Sequence, residues 1–180
     1  MPRNIEIKAT IPSVDALIPQ VAAIADRGPV ELIQDDTFFA CETGRLKLRM
    51  LSTGESKLIF YRRADRKGPK ESFYLHSPVS EPEMMKDLLA MSYGQAGRVQ
   101  KHRLLFFAGR TRIHLDKVSD LGHFLELEVI LEEHETPEAG VEEAHEFLKR
   151  LGIELSQLIE GAYVDLLTNK ASIKTSSYYH

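Results

Sequence analysis

Charged residues recur at spacings of two along this chain, and their signs divide by segment. Glu6 and Lys8 alternate with Ile5 and Ile7, and Arg45, Lys47 and Arg49 alternate with Leu46, Leu48 and Met50. Arg63 closes the run LIFYRR, and Lys101 and Arg103 lie two apart in VQKHRLLF. Arg112, His114 and Asp116 share a face of TRIHLDKV, and Glu126 and Glu128 share one of FLELEVIL. On an extended strand, residues two apart point the same way, so each run offers one charged and one apolar face. A single strand of this kind is ordinarily a solvated face. The set is different, because bases collect in some runs and acids in another. Neutralising cross-strand pairs on a surface would spread opposite charges evenly. Turned inward, the charged faces would line a cavity with bases beside a small carboxylate cluster. Such a lining is costly without a polyanion to neutralise it. Carboxylates hold a hard dication while Arg and Lys hold phosphate oxygens, so the implied ligand is a linear polyphosphate with a divalent metal.

The elements that must position these residues can be read from the same pattern. Period-two runs at residues 3–11, 35–40, 44–51, 56–63, 70–76, 98–107, 110–117 and 123–131 predict strands. Four stretches predict helices. PSVDALIPQVAAIADRG carries an apolar stripe with Ser13 as N-cap, Pro19 as a kink or a late start, and Gly28 as the stop. SEPEMMKDLLAM opens with Ser80 and Glu83 at the spacing of a capping box. TPEAGVEEAHEFLKRLG has Thr136 as cap, Pro137 at the first helical position and Gly152 as stop. SQLIEGAYVDLLT predicts a last helix, with Leu158, Ala162 and Leu166 at its apolar spacing. Many antiparallel strands and few helices predict an α+β fold: a closed or nearly closed barrel with helices outside. The domain spans 1–168, and the polar run NKASIKTSSYYH, 169–180, is a peripheral tail.

Composition narrows the function. With 43% apolar and 28% charged residues, the chain is a soluble globular protein. A net charge of −4 gives no overall basic character for nucleic acid or an anionic membrane. The lone Cys41 forms no disulfide within the chain and supports a cytoplasmic location. No Walker-type glycine loop is present, so phosphate binding falls to side chains. His114 shares the charged face and reads first as a polar filler; Tyr163 reads first as core and second as a cap on the tunnel mouth.

RNIEIKA, DDTFF, GRLKLR, LIFYRR, VQKHR, RIHLDKVSDLGHFLELEV and LIEGAYVDLL occur in this order over nearly the whole chain. The ordered set resembles the CYTH domain, the family of class IV adenylate cyclase and thiamine triphosphatase within the triphosphate tunnel metalloenzymes. The resemblance implies an eight-stranded antiparallel barrel around a charged tunnel, with a small-molecule triphosphate as substrate and Mg²⁺ or Mn²⁺ as cofactor. It makes Glu6, Asp116, Glu126 and Glu128 metal ligands. It makes Lys8, Lys47, Arg49, Arg63, Lys101, Arg103 and Arg112 phosphate contacts, with Glu6, Lys8 and Arg63 catalytic. The sequence departs from the family where Asn4 replaces the first Glu of the opening Glu-x-Glu-x-Lys signature. It departs again where Ser72 and Tyr74 replace a second acidic pair. Asn4 removes one charge from the metal side. Three readings stay open: a triphosphate phosphohydrolase, which is favoured, a class IV adenylate cyclase, and a polyphosphate-binding module without turnover. A homodimer is also left open.

Overall fold

Charge alternation dictates the architecture seen in a computed structural model, which describes residues 2–176. Eight strands are present: β1 (Arg3–Thr10), β2 (Arg27–Phe39), β3 (Arg45–Leu51), β4 (Ser56–Arg63), β5 (Lys70–Pro78), β6 (Gln95–Ala108), β7 (Thr111–Val118) and β8 (Gly122–Ile130). All neighbours are antiparallel, and they close in the order β1-β5-β4-β3-β2-β6-β7-β8. The helices α1 (Val14–Ile24), α2 (Pro82–Tyr93), α3 (Pro137–Arg150) and α4 (Tyr163–Ser176) lie on the outside and across one end.

The apolar faces of the strands point outward, so the hydrophobic core sits between the wall and its helices. Ile5 and Ile7 of β1, Ile113 and Leu115 of β7, and Leu125 and Leu127 of β8 pack beneath Val14, Leu17 and Val21 of α1 and Ala144, Phe147 and Leu148 of α3. Burial of this wall drives closure and leaves the opposite face of each strand to the interior. Gly140 allows α3 to sit this close, since a Cβ there would lie 2.6 Å from Ile5 Cγ1 and 2.8 Å from Leu131 Cδ2. A second cluster of Phe38, Val99, Val118, Phe124, Ala162, Tyr163 and Val164 brings the start of α4 over one end of the barrel. Gly97 permits that contact, because an added Cβ would stand 2.5 Å from Val164 Cγ2.

Several elements differ from the sequence expectation. Residues 27–34 extend β2, so Gly28 lies within a strand and does not stop the preceding helix. The long strand β6 supplies ladder partners back to Arg27, across a register shift between Arg27 and Val30 that absorbs Gly28 and Pro29. Helix α1 ends at Ile24, with Ser13 Oγ accepting from the Ala16 amide as expected of the cap. Helix α2 starts from Glu81 with Pro82 first, so the Ser80 capping box does not form. Leu158 is not helical. It bridges to Ala9 after a 3-10 turn at Leu155–Gln157, and α4 begins only at Tyr163. Helix α4 continues to Ser176, so most of the expected polar tail is helical, and residues 177–180 lie outside the described range. No helix among the described residues is long and apolar enough to cross a membrane.

Candidate functional site

Because the barrel closes on its apolar outer face, alternation turns the even positions of β1, β2, β5, β7 and β8 and the odd positions of β3, β4 and β6 inward. They surround a cavity of about 340 Å³. Its wall includes Glu6, Lys8, Lys47, Arg49, Arg63, Lys101, Arg103, Arg112, Glu126 and Glu128, which are all but one of the residues given a metal or phosphate role from sequence. Asn4, Gln34, Asp36, Lys57, His114 and Tyr163 join them.

The basic side is organised by a carboxylate that sequence reasoning missed. Asp36 on β2 is 1% exposed, and its oxygens accept from Lys47 Nζ at 3.0 Å and from Arg49 Nε and Nη2 at 2.8 and 2.7 Å. Lys101 Nζ stands 3.7 Å away. Burial would raise the Asp36 carboxyl, but Arg49, Lys47 and Lys101 hold it well below the usual carboxylate range. Burial, and then repulsion from Arg49, pushes Lys47 down to about 8. Burial, then Arg103, pushes Lys101 well below an ordinary lysine.

Across the barrel, β1, β7 and β8 carry the acidic side. The ladder sets Lys8 opposite Glu126 and Glu6 opposite Glu128 on one flank of β8, and His114 opposite Glu126 and Arg112 opposite Glu128 on the other. Glu126 Oε2 lies 3.3 Å from Lys8 Nζ, and Glu128 Oε2 lies 2.9 Å from Arg112 Nη2. The remaining oxygen of each turns to His114 Nδ1, at 3.8 Å for Glu126 Oε1 and 4.0 Å for Glu128 Oε1. One donor atom from each of these three residues lies within 4.8 Å of the other two, a set that suits a divalent cation. Burial would raise Glu126, yet Lys8, Arg103 and His114 keep its carboxyl well below the usual range. Burial pushes Lys8 down, against the pull of Glu126.

Two expected metal ligands are ion-paired with arginines. Asp116 lies one row nearer α4, opposite Arg103 in the ladder, and is fully buried. Arg103 binds both of its oxygens at 2.7 Å, and Tyr163 Oη donates to Oδ2 at 2.7 Å. Asp116 is off the cavity wall and positions Arg103, which holds its carboxyl down at about 2 despite burial. Glu6 accepts from Arg63 Nη1 at 2.6 Å, although it remains beside Glu128 across the ladder. Tyr163, at the end covered by the start of α4, places its ring 3.8 Å from Lys8 Nζ and 4.9 Å from the Phe124 ring, tilted 54° to it. It is both core and tunnel wall.

Several polar atoms facing the interior have no hydrogen-bond partner among the described residues: Asn4 Oδ1, Gln34 Oε1, Arg63 Nε, Ser72 Oγ, Arg112 Nε and His114 Nδ1. Asn4 and Ser72 are ladder partners, so the two departures from the family signature fall together. Buried polar atoms of this kind are destabilising unless water or a ligand meets them.

A sequence profile described as the CYTH domain matches residues 2–163. No curated protein matches the chain. Among solved structures, the PH1012 protein from Pyrococcus horikoshii superposes with a TM-score of 0.82 at 23% identity, covering 91% of this chain and 98% of that one. A candidate adenylate cyclase from Vibrio parahaemolyticus gives 0.76 at 19% identity, covering 92% and 97%. HpAC1 from Hippeastrum, a candidate adenylyl cyclase described as revealing a dominant triphosphatase activity, gives 0.64 at 15% identity, covering 96% of each chain. The structural matches share the closed barrel, and the profile spans nearly the whole chain: this protein belongs to the CYTH domain family.

Proposed function

We propose that the chain is a divalent-metal-dependent phosphohydrolase acting on a triphosphate (inorganic, nucleoside or thiamine) held inside the barrel. The observation that carries this reading is the charge on the cavity wall: eight Lys and Arg side chains against four carboxylates, in a chain of net charge −4. An excess of positive charge in a confined space favours a polyanion. Lys47, Arg49 and Lys101 would grip the phosphates on one wall, with Arg63, Arg103 and Lys8 closing on them from the others.

Glu126 and Glu128, with Glu6 beside them, are the carboxylates that would hold Mg²⁺ or Mn²⁺. Bound there, the cation supplies positive charge against the phosphate oxygens. As water attacks the terminal phosphorus, the bridging P–O bond breaks and negative charge gathers on the leaving oxygens. Arg49, Arg63 and Arg103 are fixed in advance by carboxylates or backbone oxygens and would meet that charge without reorganising. Hydrolysis is favoured over cyclisation by the wall itself, which is built for phosphate. The triphosphatase activity described for HpAC1 on the same fold supports the same choice. Lone Cys41 suits an enzyme of the reducing cytoplasm.

Phosphorus NMR with ATP, inorganic triphosphate and thiamine triphosphate, each with Mg²⁺ or Mn²⁺, tests the proposal. Terminal phosphate release is the expected result. Pyrophosphate with cyclic AMP would make the protein a cyclase. Absence of turnover, with triphosphate still raising the melting temperature, would make it a binding module. Replacing Lys101 and Arg103 together by Ala should abolish triphosphate binding.

A further inference from the structure

The acidic side of the tunnel holds a buried nitrogen donor that the family signature does not call for. His114 is 3% exposed, faces the interior from β7, and its Nδ1 has no hydrogen-bond partner among the described residues. Its ladder neighbour on β6 is Leu105, which offers nothing polar. Toward β8, Nδ1 meets one oxygen of Glu126 at 3.8 Å and one of Glu128 at 4.0 Å. These are too long for hydrogen bonds. Donors about 2.1 Å from a six-coordinate ion lie about 3 Å apart when adjacent, so each carboxylate would close on the nitrogen by about 1 Å to share one cation.

The other oxygens are already committed. Glu126 Oε2 is held by Lys8, and Glu128 Oε2 by Arg112. Each carboxylate is thereby turned so that Oε1 faces His114. An ion-paired oxygen that fixes its partner oxygen is how ligands are oriented around a metal.

Resting on the reading of the tunnel as a metal-dependent site, we infer that His114 Nδ1, Glu126 Oε1 and Glu128 Oε1 together form a mixed nitrogen–oxygen site that selects Mn²⁺ over Mg²⁺. Mg²⁺ keeps to oxygen ligands, whereas imidazole is a normal ligand for first-row transition ions. The site also offsets the loss of a carboxylate at Asn4. The nitrogen donor lies on β7, across β8 from β1, so the cation would be drawn toward the β7–β8 wall and away from Asn4.

The test uses the full-length protein with Mn²⁺ or Mg²⁺ alone, without substrate. Calorimetry should give Mn²⁺ binding at least about tenfold tighter than Mg²⁺. His114→Gln should lower Mn²⁺ affinity about tenfold or more and Mg²⁺ affinity much less, collapsing the ratio. Pulsed EPR of the Mn²⁺-loaded wild type should show coupling to a ligand nitrogen that changes on ¹⁵N-histidine labelling. This readout decides the matter even if the variant fails to fold. If no histidine nitrogen couples, while Glu126→Gln abolishes Mn²⁺ binding, the inference falls and the metal-dependent reading stands. If Glu126→Gln and Glu128→Gln both leave Mn²⁺ binding unchanged, the metal is not held here and both fall.

Discussion

Replacing Asp36 by Asn keeps the side chain's shape and removes the charge that holds the basic wall together. Asp36 is 1% exposed and takes three hydrogen bonds from Lys47 and Arg49, with Lys101 3.7 Å away. Without it three cations would face one another in a buried space, and the Asn amide would turn a further donor toward them. Removing one partner of a buried ion pair costs about 3–5 kcal/mol. For a chain of this size that lowers the melting temperature by about 6–20 °C. Triphosphate should narrow the gap. In the wild type the ligand competes with Asp36 for Lys47 and Arg49, whereas in Asp36→Asn those groups are free. The stabilisation produced by inorganic triphosphate should therefore be larger in the variant. Thermal melts of both proteins, with and without triphosphate, measure the two effects. A ligand-free variant melting within about 2 °C of wild type would refute the energetic argument. A smaller triphosphate shift in the variant would show that Asp36 assists binding and does not compete with it. Acid should act in the same direction as the substitution. The folded-state pKa of Asp36 is depressed, so its stabilising contribution is present above the unfolded carboxylate pKa and is lost as pH falls toward the folded value.

Lys47 should shift stability with the same sign in an alkaline window: its pKa falls from 10.5 unfolded to about 8 folded, so the unfolded chain binds more protons between those values and ligand-free stability rises with pH there. Denaturant titrations at about pH 7 and about pH 10 should show wild type gaining up to about 3 kcal/mol relative to Lys47→Met, while triphosphate affinity falls; a parallel response of the two proteins would contradict the assignment. Tyr163→Phe keeps the ring beside Lys8 and Phe124 but deletes the bond to Asp116, and should cost about 1.5–3 kcal/mol in urea unfolding, the range for a hydrogen bond to a charged group. A weakened hold on Arg103 should also raise KM for the triphosphate. Gly97→Ala should cost about 1–3 kcal/mol by driving a methyl into Val164, and Val164→Ala on that background should recover part of it; additive losses in the double variant would mean the close approach is not the cause.

Much of this was legible because alternation is a binary signal: once the apolar face is outside, every second residue must enter the barrel. That rule placed Lys47, Arg49, Lys101, Arg103, Glu126 and Glu128 on the wall without knowledge of the strand order. Alternation does not give register, and the rest depended on register. In QDDTFF either aspartate could enter. The ladder sends Asp36 inward opposite Arg49 and leaves Asp35 outside, paired with Arg98. Asp116 has the right parity for the metal side, but the ladder sets it opposite Arg103, which takes both oxygens. The first half of β2 was hidden by Gly28 and Pro29, and only a strand as long as β6 makes pairing there worthwhile. Leu158, Ala162 and Leu166 have helical spacing, yet the first bridges to β1, the second packs at the covered end and the third lies within α4. Similar spacing arose from three environments.

The wall also explains how a barrel with a charged interior holds together before any ligand arrives. Arg63 is matched by Glu6, Lys8 by Glu126, Arg112 by Glu128, Arg103 by Asp116, and Lys47, Arg49 and Lys101 by Asp36. Each carboxylate stabilises the empty fold by holding a base that the substrate also needs, so ligand affinity is a difference between two pairings. The five are not equivalent toward the ligand. Asp36 and Asp116 lie outside the three-donor group on β7 and β8, whereas Glu126 and Glu128 belong to it. Removing charge at Asp36 should therefore strengthen triphosphate binding in the presence of metal. Removing it at Glu126 should weaken that binding, although both changes destabilise the empty protein. Opposite signs from two buried acids of the same barrel would separate a counter-ion from a metal ligand. Equal signs would mean that the two walls do not divide the work between phosphate and metal.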